Sequence, residues 1–389
     1  MNNINIKKWL QYVKKQTTDR EYAVIEKAVG IIVGNEYSNP KSPWGKRHCL
    51  LPDRDNFKGI WNWDTAFHSM GISRFDTDFA IENIDAYMQF QNDDGMFPDA
   101  IFCDGRRSDN FSKPPVMAAA CEIVYKRSGD TEFLKRSYER LCRNEAFWVK
   151  HRCYDGMFFY DAFPIDGVKR ISDMRNESGW DNSVRWDKFS INKLWPVDLN
   201  CYMVMTYRSL SYMSKEMGDA EMSRTWEKKG NELSELIEER LWDDKAEMYA
   251  DRNFETEEFS KVISPAIFMP LYIKTAAKEK AERIVRIAAD KTKLFPGMPT
   301  VSYDSPEYSA DYWRGPTWLN VAYFAAKGIL NYGYKELADA VKNEILSWVE
   351  NDEGSIHENY NSSTGEGLCA MHFSWSAVFA IEFILNWDN

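Results

Sequence analysis

The chain is poor in the residues that mark metal or redox chemistry. Its five histidines, at 48, 68, 151, 357 and 372, show no metal-ligand spacing. Seven cysteines lie scattered at 49, 103, 121, 142, 153, 201 and 369. The number is odd and no C-x-x-C occurs, which argues against a disulfide framework or zinc site and for free thiols in a reducing compartment. No apolar run approaches the 18 or so residues of a membrane span. Met1 to Gln16 is polar and amphipathic and lacks the apolar stretch of a secretory signal, so a cytoplasmic location is expected. Positive charge is also short. Lys and Arg total 49 against 60 Asp and Glu, a net charge of −11, so nucleic acid and anionic membrane are poor partners. No low-complexity linker divides the chain, no repeat of fixed period is found, and strand signals are nearly absent. No metal or cofactor is expected, and acidic turns such as Asp93-Asp94 read as solvated.

Aromatic residues, in contrast, make up 15% of the 389 residues, with 15 Trp and 20 Tyr. Apolar residues total 44%, enough for a large core. Part of the Trp must fill that core. The excess suggests flat surfaces for a partner, and sugar rings are one: their C–H faces pack on aromatic faces while their hydroxyls seek polar edges.

Glu177-Ser178-Gly179-Trp180-Asp181-Asn182 is the stretch around which the rest is organised. Glycine permits a sharp or left-handed turn. A tryptophan face beside Asp181 would strip its solvation and raise its pKa, as a general acid requires. The plainer reading is a surface loop whose carboxylates cap a helix or pair with Arg175 and Arg185.

Helical periodicity and caps predict helices over 18–32, 75–90, 113–127, 131–150, 195–217, 218–241, 264–272, 276–290, 318–330, 334–349 and 373–385. Short hairpins or turns are expected at 154–158 and 242–249. Another helix begins within Gly59-Ile60-Trp61-Asn62-Trp63-Asp64, where Asp64 is a cap or, flanked by Trp, a grip for sugar hydroxyls. About twelve helices with alternating long loops and short turns suit an all-α chain. Six helical hairpins closed into an (α/α)6 toroid, one domain over residues 1–389, would bury their faces and gather the aromatic loops on one side. An open solenoid is the other packing.

Five motifs stand in order from Phe57 to Trp387. They are Trp63-Asp64-Thr65; Gln91-x-x-x-Gly95-Met96-x-Pro98; Glu177 to Asn182; Trp313-Arg314-Gly315-Pro316-x-Trp318; and Glu358-Asn359-Tyr360-Asn361 with Thr364-Gly365 and Phe373-Ser374-Trp375-Ser376. In these the chain resembles glycoside hydrolase family 63 and its single-domain mannosylglycerate-hydrolase-like relatives, in a clan shared more distantly with trehalases. The resemblance implies an (α/α)6 barrel and an inverting α-glycosidase, with Asp181 as general acid and Glu358 as general base. It implies a sugar pocket lined by Asp64, Gln91, Trp313, Arg314 and Trp318. Trp63, Glu177, Trp180, Tyr312, Glu366 and Trp375 join the candidates from the same motifs. The β-rich N-terminal domain of the larger members is missing, which favours a small carbohydrate substrate.

An inverting glycosidase holds an acid by the leaving oxygen and a base on the opposite ring face, about 6.5–9.5 Å apart. Asp181 suits the acid. Glu358, among His357, Asn359 and Asn361, suits the base. Glu177 is the other candidate acid and Glu366 the other base. Trp313 and Trp318 can equally be core, and Arg314 a structural ion pair. A charged leaving group such as glycerate would want a cation, with Arg314 and Lys113 as candidates. Two other functions remain: a sugar epimerase or isomerase, for which His357 is the only histidine near the pair, and a non-catalytic sugar-binding protein.

Overall fold

The computed structural model describes residues 1–387. Fourteen α-helices are found among the described residues. In chain order they are α1 (Asn3–Val13), α2 (Asp19–Gly34), α3 (Asn62–Ile72), α4 (Thr77–Met88), α5 (Met117–Ser128), α6 (Thr131–His151) and α7 (Ile171–Glu177). Then follow α8 (Val197–Glu216), α9 (Ala220–Arg240), α10 (Met269–Tyr272), α11 (Lys278–Ala289), α12 (Leu319–Asn331), α13 (Lys335–Asn351) and α14 (Ser374–Leu385).

Local chemistry fixes many helix ends. Thr18 and Glu21 form a reciprocal capping box at α2. Asp130 and Asp219 cap α6 and α9 by accepting from Phe133 and Met222 N–H. The predicted helix at 113 begins only at Met117. Lys113 and Pro114 each precede a proline, and that neighbour is pushed out of the α region. The predicted 264–272 helix is a 3-10 turn, Pro265–Phe268, followed by the single turn of α10.

Burial pattern sorts the helices into two sets. α9 buries one stripe, Trp226, Gly230, Leu233 and Ile237, and so has one wet face. α12 buries every residue from Leu319 to Ile329, and α14 every residue from Ser374 to Phe383. α12 and α14 belong to a set that packs in sequence: α3 on α5, α5 on α8, α8 on α10, α10 on α12, α12 on α14, and α14 back on α3. The stripe-bearing helices cover these, α4 on α3, α6 on α5, α9 on α8, α13 on α12 and α2 on α14. The buried apolar side chains form one continuous cluster.

Strands are short. The expected hairpins pair Cys153–Tyr154 with Met157–Phe158 and Trp242–Asp243 with Met248–Tyr249. Gly59–Trp61 is the edge of an unexpected three-stranded sheet with Ala100–Phe102 and Arg107–Ser108, and leads directly into α3. No described helix is long and apolar enough to cross a membrane, and all seven cysteines are free thiols.

Candidate active site

Asp181 is held from both sides. α7 ends at Glu177, a fully buried carboxylate that grips Arg152 through both oxygens at 2.8 and 3.0 Å. Glu177 also accepts the N–H groups of Ser112 at 3.0 Å and Asp161 at 2.6 Å. Gly179 then turns with φ +72°, and a Cβ there would stand 2.4 Å from the Trp63 ring. Only glycine meets both demands. Beyond Asp181, the Asn182 side chain donates to Asp311 and accepts from Trp313 N–H, each at 2.9 Å. The catalytic-loop candidate is thereby tied to the Tyr312–Trp313 loop.

Glu358 enters from the opposite end of the sequence. Its backbone N–H donates to Ala370 carbonyl at 2.8 Å. The next residues, Asn359–Tyr360, pair with Gly367–Leu368, and Tyr360 bridges to Thr317 beside Trp318. The Glu358 carboxylate accepts Tyr312 Oη–H at 3.0 Å and Ala370 N–H at 3.3 Å. Tyr312 makes that contact from a left-handed backbone, φ 48°, the kind of local strain that concentrates at functional sites.

The two loops meet at a half-open cavity of about 80 Å³ lined by Asp64, Asp181, Glu358, Lys113 and Gly179 among aromatic walls. Drug-sized sites run to roughly 300–1,000 Å³, so this one suits a single small ring. Trp63, Tyr312, Trp313, Trp318 and Trp375 form the walls, with Phe57, Trp61 and Phe373. Trp313 and Trp318 lie face to face, 3.9 Å apart and 8° from parallel. Trp375 meets Trp63 edge-on at 5.0 Å. The indole N–H of Trp375 has no protein partner, a buried donor of the kind that a ligand hydroxyl or water satisfies.

Eight of the thirteen sequence candidates therefore share the cavity: Trp63, Asp64, Asp181, Tyr312, Trp313, Trp318, Glu358 and Trp375. Five do not line it. Trp180 lies one layer behind, sandwiched between Trp313 at 4.9 Å and the Arg185 guanidinium at 4.8 Å. Trp313, not Trp180, is the ring that faces the cavity. Glu177 spends its oxygens on Arg152 and the two N–H groups. Gln91 ties its turn to α6 by donating to Gly95 and Arg140 carbonyls. Arg314 binds Asn182 carbonyl at 3.2 Å and Asp187 at 2.9 Å. Glu366 is exposed on its hairpin. The surface-loop reading had these carboxylates cap a helix or pair with Arg175 and Arg185. Arg175 instead pairs with Asp187, and Arg185 is buried between Asp198 and Asp251. Asp64 is not a cap: α3 has no side-chain cap, and Asp64 sits in its first turn, buried. His357 turns its Nδ1 to Asp352 at 2.7 Å and does not line the cavity.

Lys113 is the cation among the cavity's lining residues, and the motifs gave little sign that it is built in. Phe57, Trp61 and Phe373 belong to or adjoin the motifs singled out, so their neighbours were the available signal.

Burial raises every carboxyl here. It lifts Asp181 to about 6, with Lys113 opposing and Asp99 assisting. It lifts Glu358 to about 7, opposed by the Ala370 and Tyr312 hydrogen bonds and assisted by the charge of Asp181. It lifts Asp64 to about 8, again against Lys113. Glu358 thus stands above Asp181, the reverse of a resting base and acid. Hydrogen bonding points the other way: Glu358 accepts two bonds that favour its charged form, while Asp181 Oδ1 accepts none. The charge of Asp181 also raises Glu358, so the two titrations are coupled.

The model of the mannosylglycerate hydrolase MGH1-like glycoside hydrolase domain matches residues 58–376. Mannosylglycerate hydrolase MGH1 of Selaginella moellendorffii is 24% identical over 86% of this chain and 82% of its own. A periplasmic trehalase of Escherichia coli is 26% identical over 80% of this chain and 63% of its own. The fold is similar to that of a family 63 mannosylglycerate hydrolase from Thermus thermophilus, solved with Tris and D-glycerate. The TM-score is 0.77 at 22% identity, over 92% of this chain and 99% of that one.

Proposed function

Because the chain belongs to the mannosylglycerate hydrolase MGH1-like glycoside hydrolase family, we propose that it hydrolyses a small α-glucoside or α-mannoside with inversion. Asp181 is the general acid and Glu358 the general base. One observation carries this reading: a buried carboxyl, Glu358, and a partly buried one, Asp181, come from distant parts of the chain to line one narrow, aromatic-walled cavity. The scaffold is read as a single (α/α)6 toroid, supported by the helix packing that runs from α3 through α14 and back to α3. The free thiols suit a cytoplasmic setting.

In the reaction Asp181 gives its proton to the glycosidic oxygen as the bond to the anomeric carbon breaks. Water attacks that carbon from the other face, and Glu358 takes the water's proton. The Tyr312 hydroxyl, donating to Glu358, favours its ionised form before attack. Trp63, Trp318 and Trp375 flank the sugar ring, Trp313 backs Trp318 and lines the cavity by its edge, and Asp64 binds hydroxyls. The Thermus protein was solved with D-glycerate, which supports a small leaving group.

The test is turnover of purified Asp181→Asn and Glu358→Gln on α-glucosides, α-mannosides, glucosylglycerate and mannosylglycerate. Each variant should melt near the wild type and lose about 10²–10⁴-fold in kcat. Folded variants with wild-type turnover would refute the assignment.

A further inference from the structure

Lys113 precedes two prolines, lies outside α5, and carries a buried ammonium into a pocket of acids. Its side chain is 9% exposed. Nζ donates to Asn176 carbonyl at 2.5 Å, in the last turn of α7. From there it stands 3.5 Å from Asp99 Oδ1 and 3.8 Å from Asp181 Oδ1. Both of these oxygens are buried and neither accepts a hydrogen bond. One ammonium therefore faces two orphan carboxylate oxygens at slightly more than bonding distance from each. The other groups that face Asp181 are acidic or neutral: Asp64 from α3, Glu358 from its hairpin and Tyr312 from the loop before α12. Asp173 of α7 acts on Asp99 in turn.

We propose that Lys113 is a movable counter-ion for Asp181, standing off while the acid holds its proton and closing on the carboxylate once the proton has left. The inference rests on Asp181 being the general acid. The balance is simple. The proton passes from Asp181 to the leaving oxygen, the glycosidic bond breaks, and Asp181 becomes an anion. Lys113 stays an ammonium throughout and changes only its distance. A contact that tightens as charge develops lowers the barrier without tightening ground-state binding. Asp99 draws the ammonium away from Asp181 during the waiting phase, so it lowers the acid's pKa less than a direct ion pair would. Lys113 is thus a positioning residue that acts through Asp181. The charges around it agree: burial opposes its ammonium, and Asp99, Asp181 and Asp64 together more than restore it.

The test compares Lys113→Met, Lys113→Gln and Lys113→Arg on two kinds of substrate. One is an α-glycoside with an alcohol leaving group, which needs the acid. The other is the matching α-glycosyl fluoride, whose leaving group needs little protonation. The neutral variants should lose on the order of 10²-fold in kcat on the glycoside and much less on the fluoride. The alkaline limb of their pH profile should move up, because removing a cation raises the pKa of a neighbouring acid. Lys113→Arg should keep the limb in place. Equal losses on both substrates with an unmoved limb would make Lys113 a purely structural residue and overturn the proposal. The coupling is also read without turnover, by carboxyl-carbon NMR titration of Asp181, assigned with Asp181→Asn. Its titration should move upward in Lys113→Gln, and an unchanged curve would contradict the proposal. If the wild type hydrolysed no glycoside, the function reading would fail while this titration still decided the Lys113–Asp181 contact.

Discussion

In the proposed reaction Asp181 must hold its proton while Glu358 has lost its own, so each role needs one protonation state. Below about pH 6 both carboxyls are protonated and Glu358 accepts nothing. Above about pH 7 both are ionised and Asp181 has nothing to give. The expected kcat/KM profile is therefore a narrow bell with limbs near 6 and 7, read from initial rates across pH 4–9. A flat profile over that range would contradict the pairing. Asp64 gives a stability signal of opposite use. Its carboxyl titrates at about 8 in the folded chain and near ~3.9 unfolded. The folded state therefore holds a proton that the unfolded state releases. Its stabilising share is complete below pH ~3.9 and is lost as pH rises towards 8. Asp64→Asn removes that loss. It should melt higher than the wild type at pH 8, match it near pH 4, and bind substrate poorly. A melting difference that does not change with pH would show that Asp64 carries no such burden.

At the scale of elements, Gly179 is the hinge on which the site depends. Gly179→Ala forces a Cβ into the left-handed region and onto the Trp63 ring at 2.4 Å. The backbone strain alone costs about 1–3 kcal/mol, and displacement of Trp63 or Asp181 should lower kcat as well. Gly30→Ala in α2 is the control. A Cβ there meets nothing within 4 Å, so the change should stabilise by about 0.5–1 kcal/mol. Denaturant melts of the two variants check both signs. The helices that were legible in the sequence share a cause. α2, α6 and α9 carry caps and a single apolar stripe, and α12 and α14 are apolar on all sides. α7 escaped notice because its seven residues, Ile171–Glu177, are mostly polar and sit in a charged run with no periodicity. The start of α5 was placed too early because prolines tolerated near a helix start gave no sign that Lys113 turns inward.

At the scale of the whole chain, the site is made by closure. Trp63 and Asp64 on α3, Trp375 on α14, Asp181 after α7 and Glu358 before α14 meet only because α14 returns to α3. Motif order in the sequence located these residues, since each motif keeps its own carboxylate or ring. Which side of a ring faces the cavity was not legible. Trp180 and Trp313 are both buried aromatics in motifs, and only tertiary stacking puts Trp180 behind and Trp313 in front. Arg314 and Glu177 were likewise decided by partners distant in sequence, Asp187 and Arg152.

The proposed hydrolysis with inversion through Asp181 and Glu358 is tested by watching the first product form. A proton NMR time course on α-glucosides, α-mannosides, glucosylglycerate and mannosylglycerate resolves the anomeric signals before mutarotation mixes them. One α-glycoside should disappear, and the β-anomer of its sugar should appear first. An α-anomer appearing first would mean retention, and Glu358 would not be a base acting on water.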